Sequence, residues 1–290
     1  MPKKNLSSSG QTGPLSVGNV VSASLRIYRD HFKSYFGLAL VASLWSLVPV
    51  IGWAKYSATL ALISRLAFGE VREKPETVSD ARREVDPRMW RFLWAGILTF
   101  LIYIGVYVAV VAAVTIAMLI GLFVATMISG VIWGGAGAAI WQNNVVIAAL
   151  MAVGIIAILI IYIRIISRFL IVELPLAIEN NIGATSAIGR SRELTKGSVG
   201  RIQWILVVGI LVSLPITIVV QILAVIVQNV LRGVLEPESG IFYLVYYLLT
   251  LPLGLGTGAL VAPFWQAMKA IIYYDLRSRK EGLGLQIRDR

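Results

Sequence analysis

The sequence predicts an all-α integral membrane protein, a bundle of six apolar segments in three hairpins with amphipathic helices along its cytoplasmic face. Of the 290 residues, 58% are hydrophobic and 14% are charged, whereas about a quarter of a soluble domain is charged. Apolar runs long enough to cross a bilayer recur along the chain, and the polar connections between them are mostly basic. This composition excludes a soluble enzyme, and the lack of cysteine excludes thiolate chemistry.

The predicted membrane domain covers residues 15–275, between a flexible polar tail at 1–14 and a basic cytoplasmic tail at 276–290. The predicted apolar segments are 35–52, 53–68, 92–128, 145–172, 202–231 and 241–270. The second is short and contains Lys55 and Arg65, so it either spans a thinned bilayer or forms a re-entrant pair with the first. The third would reach about 55 Å as a helix, beyond a hydrocarbon core of about 30 Å, so we expect it to kink or to run past the bilayer.

An amphipathic stretch precedes each hairpin, at 16–34, 77–85 and 184–196. In the first stretch, apolar residues recur at spacings of three and four from Val17 to Phe32, which is typical of a helix with one apolar face. Such a helix lies in the membrane interface with its basic residues near anionic lipid. We therefore predict that headgroups are bound by basic residues of the first and third stretches: Arg26, Arg29, Lys33, Arg190, Arg192 and Lys196.

The distribution of basic residues orients the chain. With the N-terminus placed in the cytoplasm, 24 of the 26 Lys and Arg residues fall on the cytoplasmic side, and only Lys55 and Arg232 fall on the far side. By the positive-inside rule, both termini are cytoplasmic. Splitting segment 92–128 into two spans would move six basic residues outside, so the seven-span alternative is rejected.

Ionisable residues near the membrane are candidates for function. Four of them lie at the end of the fourth apolar segment and just beyond it: Arg164, Arg168, Glu173 and Glu179. They form either an internal ion pair or relay around Glu173, or a set of side chains that extend to the headgroups. The second interpretation is favoured.

A polar stripe runs along the fifth segment. At 100° per residue its members lie close to one line: Gln203, Thr217, Gln221, Gln228 and Arg232. The stripe either lines a hydrated path or forms hydrogen bonds between packed helices, and packing is favoured because no acid lies on it. In the sixth segment, a helix break or a close-packing notch is predicted at Pro252, Gly254, Gly256 and Gly258.

Motifs of catalysis are missing from the sequence. It has no Walker A, G-x-S-x-G or H-E-x-x-H pattern, and its one histidine, His31, cannot build a metal site without several carboxylates. We expect no metal, no cofactor and no enzymatic activity. The alternative weighed against this is a membrane-embedded enzyme that uses Glu173 or Glu179.

Three stretches together resemble a known family: residues 14–40 (PLSVGNVVSASLRIYRDHFKSYFGLAL), 168–202 (RFLIVELPLAIENNIGATSAIGRSRELTKGSVGRI) and 273–287 (YYDLRSRKEGLGLQI). They look like bacterial multi-pass proteins related to the membrane domain of glycerophosphoryl diester phosphodiesterases. The resemblance implies a six-helix membrane domain with cytoplasmic amphipathic helices. It implies no activity, because in those enzymes a separate soluble barrel carries out the reaction.

The function predicted from the sequence is that of a non-enzymatic scaffold or assembly component. Its expected partners are anionic membrane lipids and other protein chains, including copies of itself, but not nucleic acid. Its expected location is the bacterial inner membrane, or another internal bacterial membrane. The alternative function is a transporter that carries a small molecule or lipid through the bundle.

Overall fold

The computed structural model describes residues 15–133, 144–237 and 239–282, and the predicted tail at 1–14 lies outside these ranges. All regular structure in these ranges is helical, which confirms the all-α prediction. The helices are α1 (Val17–Asp30), α2 (Phe32–Trp45), α3 (Ile51–Val71), α4 (Val78–Val85), α5 (Met89–Trp133), α6 (Asn144–Phe169), α7 (Glu173–Ile178), α8 (Ala184–Thr195), α9 (Val199–Val234) and α10 (Gly240–Glu281). A single 3₁₀ turn, Asp86–Arg88, joins α4 to α5.

Four stretches of the described residues are long and apolar enough to cross a membrane: Val78–Gly121, Met151–Ile178, Val199–Val234 and Gly240–Glu281. The other two predicted apolar segments correspond to α2 and α3. Helix α2 has 14 residues and extends about 21 Å, less than the hydrocarbon core of about 30 Å. Helix α3 has 21 residues, but Lys55 and Arg65 make it too polar. The structure therefore contains four candidate membrane spans where the sequence predicted six.

Helices α2 and α3 form a hairpin with a tight bend at residues 46–50. Val50 has a φ of 61°, in the left-handed region that β-branched residues avoid. Gly52 is required at the start of α3, because a Cβ atom there would lie 2.0 Å from the Trp45 carbonyl oxygen. The Trp53 indole N–H donates to the Ser46 carbonyl at 3.1 Å, and the Lys55 ammonium lies 3.8 Å from the centre of the Trp45 ring. These contacts fix the bend.

Polar side chains mark several helix starts. Ser16, Thr77 and Ser239 each accept a hydrogen bond from the backbone N–H three residues on, which caps α1, α4 and α10. Helices occupy all three stretches predicted to be amphipathic, as α1, α4 and α8. Helix α10 ends at Glu281 before Gly282, whose φ of 64° suits glycine at a helix end.

The buried core lies at one end of the molecule, which we call the packed end. It contains α1, α3, α4, α7 and α8 with the adjoining parts of α2, α5, α6, α9 and α10. Helix α3 lies at its centre, since 11 of its 21 residues are buried. Apart from Phe242, the buried residues of α10 begin at Ala259, and apart from Leu231, those of α9 end at Gly209. The remaining parts of the long helices leave this core.

Outside the packed end, large apolar side chains are exposed. Residues 214–219 of α9 are all exposed, so every side of the helix is open, and Val219 retains 57% of its accessible surface. Residues 47–51 at the α2–α3 bend are exposed as well. An apolar surface this extensive is typical of a protein whose solvent is lipid.

Candidate functional site: paired and unpaired charges at the packed end

Glu173 forms an internal ion pair. Its Oε1 atom lies 3.1 Å from the Lys269 Nζ atom and 2.9 Å from the Ser64 Oγ atom. Ser64 is fully buried, and its hydroxyl is also 2.8 Å from the Oε1 atom of buried Gln266. The side chains of Glu173 and Lys269 keep only 22% and 18% of their surface. The structure thus places Glu173 in an internal ion pair, the interpretation that the sequence disfavoured. This group of side chains joins α3, α7 and α10.

Glu179 belongs to a second network, with the ends of α8 and α10. The Tyr273 hydroxyl donates to Glu179 Oε1 at 2.6 Å, and the Arg190 Nε atom is 3.4 Å from the same oxygen. Arg190 also pairs with Glu281, and Arg277 donates to Glu281 at 2.8 Å. Burial alone would lower the pKa of the Arg190 guanidinium, but the charges of Glu179 and Glu281 raise its pKa above the usual value. Arg190, predicted to bind headgroups, is therefore engaged inside the protein.

Arg201 connects the beginning of α9 to α10 and to the start of the described chain. It pairs with Asp275, which is almost fully buried. Asp275 also accepts the backbone N–H of Leu15 at 3.2 Å, and Arg201 Nη1 donates to the Leu15 carbonyl at 3.4 Å. This group of charges holds α1 against the two long helices.

Two arginines bind the carbonyl end of the short helix α7. Arg65 donates to the Ala177 carbonyl at 2.7 Å and forms an ion pair with Glu76 at 2.7 Å. Arg88 donates to the Leu176 carbonyl at 3.2 Å and lies 3.3 Å from Glu84. Because a short helix has several carbonyls without internal partners, these contacts stabilise α7 and hold Glu173 at its start.

A second set of cations has no carboxylate partner within 4 Å in the part of the chain that the structure describes. Four of these cations line one cleft of about 580 Å³ between the end of α6, the end of α8 and the start of α9: Arg164, Arg168, Arg192 and Lys196. Its single acidic lining residue, Glu193, lies 3.6 Å from Arg190. The structure thus brings together two predicted headgroup residues and two predicted intramembrane charges.

The predicted headgroup residues of α1 do not form a site of this kind. Arg29 pairs with its neighbour Asp30 at 3.3 Å, with 78% of its side chain exposed. Lys33 is exposed, and Arg26 is half-buried. His31, between α1 and α2, has its Nε2 atom 3.4 Å from Glu70.

The predicted polar stripe of α9 lies mostly on the surface. Thr217, Gln221 and Arg232 are exposed, and the Thr217 hydroxyl donates to the Ser213 carbonyl within the same helix at 3.2 Å. Gln228 is half-buried. Within the described part of the chain, Gln203 is the one member of the stripe that bonds to another helix: its side-chain amide donates to the Ile160 carbonyl of α6 at 3.3 Å.

The Pro252 region does not break α10, which is continuous from Gly240 to Glu281. A Cβ atom at Gly258 would lie 3.5 Å from the Ser43 Oγ atom of α2, whereas at Gly254 or Gly256 it would meet nothing within 4 Å. The predicted packing notch is thus limited to Gly258. Proline within a membrane helix is tolerated when neighbouring groups compensate for the lost hydrogen bond.

The chain matches no protein-family model, no curated protein and no solved structure. The resemblance to the phosphodiesterase-related membrane family stays a prediction. Among the described residues, no three His, Asp or Glu side chains come together to hold a metal ion.

Sequence reasoning missed the partners in these networks. Lys269 lies 96 residues from Glu173, and Asp275 lies 74 residues from Arg201, so no local spacing predicts either pair. The contact between Arg277 and Glu281 is an exception, because an i, i+4 spacing on a helix brings such side chains together.

Proposed function

We propose that the chain is a non-enzymatic multi-pass membrane protein that serves as a scaffold or assembly component and binds anionic lipid at its packed end. The observation that carries the proposal is the separation of charges there. Paired charges join the helices, while four cations that line one cleft have no carboxylate partner among the residues that the structure describes: Arg164, Arg168, Arg192 and Lys196. Uncompensated cations at a membrane interface attract anionic headgroups.

The proposed topology has four spans and one re-entrant hairpin. No charged residue lies between Arg201 and Arg232 of α9, or between the start of α10 and Lys269. Each stretch measures about 45 Å as a helix, close to the full thickness of a bilayer with its headgroups. The packed end then faces the cytoplasm, because it carries most of the basic residues. We propose that this membrane is the bacterial inner membrane.

The depth of the α2–α3 hairpin follows from its packing on α10. Ser64 lies beside Gln266, and Phe68 lies beside Tyr273, with ring centres 5.5 Å apart. The helices α3 and α10 are therefore parallel at this contact. By these two contacts, Lys55 lies about 14–18 Å into the membrane from the level of Lys269. The bend with its exposed apolar residues is then close to the bilayer centre, which supports a re-entrant hairpin over two full spans.

The cleft suits binding better than catalysis. A catalytic site needs an acid and a base within hydrogen-bond reach of one bound molecule. The one carboxylate that lines the cleft, Glu193, is already next to Arg190. Transport has no comparable support, because Thr217 and Gln221 are exposed and α10 is continuous at Pro252.

Lipid binding and partner capture test the proposal. The full chain, purified in mild detergent, is titrated with phosphatidylglycerol and with phosphatidylcholine, and its thermal midpoint is measured. We expect stabilisation by the anionic lipid, because a ligand of the folded state raises its stability. Equal effects of the two lipids would contradict lipid binding. Crosslinking in native membranes followed by mass spectrometry tests the scaffold role, and recovery of the chain without any crosslinked protein, itself included, would contradict it.

A further inference from the structure

The cleft between α6, α8 and α9 has the composition of an anion site. Arg164 and Arg168 lie one turn apart near the end of α6, and Arg192 and Lys196 lie at the end of α8. The two pairs are held together because the Ser191 hydroxyl donates to the Arg168 carbonyl at 3.0 Å. Guanidinium groups bind phosphate oxygens in pairs, and an ammonium group adds a further positive charge.

The cations of this cleft differ from the other cations of the packed end in that they lack carboxylate partners among the described residues. Arg65, Arg88, Arg190, Arg201, Lys269 and Arg277 each have a carboxylate partner. In the cleft, four cations have none among the described residues, and the one acid lies beside Arg190. A ligand with two or more anionic or strongly accepting oxygens would supply the missing partners.

Glycines keep the cleft open. Gly189, Gly197 and Gly200 line it, and a Cβ atom added to any of them would meet nothing within 4 Å. Gly197 has a φ of 85°, which a residue with a side chain rarely adopts. The first turn of α9 begins at Val199, so its positive helix end adds to the potential in the cleft.

The cleft adjoins the surface that would face lipid. Ile160 of α6 and Trp204 of α9 keep 54% and 65% of their surface, and each lies about one helical turn from a cleft residue, Arg164 or Gly200. The Gln203 amide joins the two helices at the Ile160 carbonyl. A phosphate in the cleft could therefore carry acyl chains along α6 and α9.

We infer that this cleft binds the phosphate ester of one anionic phospholipid, with Arg164, Arg168, Arg192 and Lys196 as its ligands. The inference rests on the proposed function and goes further, because it replaces a diffuse basic face with one saturable site. Basic clefts between membrane helices on the cytoplasmic side are suited to phosphate headgroups.

The first test removes the charges. The four cleft residues are changed to Gln. A matched variant changes to Gln four exposed basic residues outside the cleft that also have no carboxylate partner in the described ranges: Lys74, Arg82, Arg83 and Arg91. Both variants lose the same net charge. Native mass spectrometry of the full chain, titrated with phosphatidylglycerol, counts the bound lipids. We expect one tightly bound lipid in the wild type and the matched variant, and at least about tenfold weaker binding in the cleft variant.

The second test fills the cleft and leaves its charges in place. Gly189→Leu puts a side chain into the cleft. The control, Gly96→Leu, adds the same side chain outside the cleft, at an exposed glycine of α5 whose Cβ would also meet nothing within 4 Å. We expect Gly189→Leu to weaken binding at least about tenfold and Gly96→Leu to leave it unchanged. Circular dichroism and the lipid-free thermal midpoint check that each variant is folded.

Soluble phosphates separate the two sources of the ligand. Glycerol 3-phosphate and inorganic phosphate are titrated in place of the lipid, with phosphatidylcholine as the neutral lipid. Preference for phosphatidylglycerol over both soluble anions supports a lipid ligand. Equal or tighter binding of a soluble phosphate would overturn the lipid assignment.

The outcomes also separate this inference from the proposed function. If the wild type does not distinguish phosphatidylglycerol from phosphatidylcholine, lipid binding at the packed end is wrong altogether. If the wild type prefers the anionic lipid, but both charge variants weaken it equally and Gly189→Leu has no effect, the basic face acts diffusely. In that case the cleft site alone is overturned.

Discussion

Arg190 and Arg192 lie two positions apart in α8 and have different roles. Two positions turn a helix by about 200°, so the two side chains point in nearly opposite directions. Arg190 contacts Glu179 and Glu281 inside the packed end, while Arg192 lines the cleft. The sequence predicted the same role for both, because their local patterns are alike and the carboxylates that distinguish them lie far along the chain.

At the residue scale, the Glu173–Lys269 pair gives a stability prediction. Lys269→Met leaves Glu173 mostly buried, with the Ser64 hydroxyl as its one remaining partner among the described residues. We expect the free energy of unfolding to fall by about 2–4 kcal/mol. This is somewhat less than for a fully buried ion pair, because both side chains keep some exposure. Chemical denaturation in detergent measures the change.

Two further variants control this prediction. Glu173→Gln combined with Lys269→Met removes both charges, and we expect it to recover part of the lost stability. Arg29→Gln breaks an exposed pair and should cost less than about 1 kcal/mol. An equal loss from Lys269→Met and Arg29→Gln would mean that the internal pair contributes nothing specific.

At the element scale, the α2–α3 hairpin depends on one glycine. Gly52→Ala brings a methyl group against the Trp45 carbonyl, whereas at Gly37, inside α2, a Cβ would meet nothing within 4 Å. We expect Gly52→Ala to lower the thermal midpoint by several degrees, since backbone must move, and Gly37→Ala to leave it unchanged or raise it. A scan of thermal unfolding in detergent compares the two variants, and equal midpoints would contradict the tight bend.

The depth of this hairpin can be measured because the chain has no cysteine. In intact cells or sealed vesicles, Val48→Cys at the bend should resist a membrane-impermeant maleimide from either side and react after denaturation. Glu236→Cys, between α9 and α10, should react from the outside. Labelling of Val48→Cys from the outside would establish two full spans and contradict the re-entrant hairpin.

The sequence predicted some elements better than others. The stretches at 77–85 and 184–196 match α4 and α8 closely, since a cap such as Thr77 and the glycines around α8 give local boundary signals. Four of the six predicted apolar segments are long and apolar enough to span, because α2 is too short and Lys55 and Arg65 make α3 too polar. The covering of α3 was not predicted, since hydropathy does not tell whether protein or lipid surrounds a helix, and 11 of its 21 residues are buried in the protein.

The candidate site was predicted in part for a related reason. All four cleft cations were singled out from the sequence, yet in two separate groups with different roles. Their assembly depends on how α6 packs against α8, through the Ser191 and Thr195 hydroxyls and the Arg168 carbonyl. The stripe on α9 was likewise a correct helical pattern, but periodicity does not tell which side of a helix is covered.

At the scale of the whole molecule, the charge asymmetry predicts that both termini lie on the same side. An even number of spans returns the chain to its starting face, and the basic residues place that face inside. Green fluorescent protein fused to either end should fluoresce, and alkaline phosphatase fused there should be inactive. An active phosphatase at one end would mean an odd number of spans.

The proposed topology gives the molecule a larger cross-section in the inner leaflet than in the outer one, and this difference affects the membrane around it. In the proposed topology, the inner half of the bilayer surrounds α2, α3 and four spanning helices, while the outer half surrounds, of the helices that the structure describes, the four spans. The protein therefore displaces more area from the inner leaflet than from the outer one and has the outline of a wedge. Wedges of this orientation relax in a sheet that bulges toward the cytoplasm, so the chain should concentrate where the membrane bends in that direction.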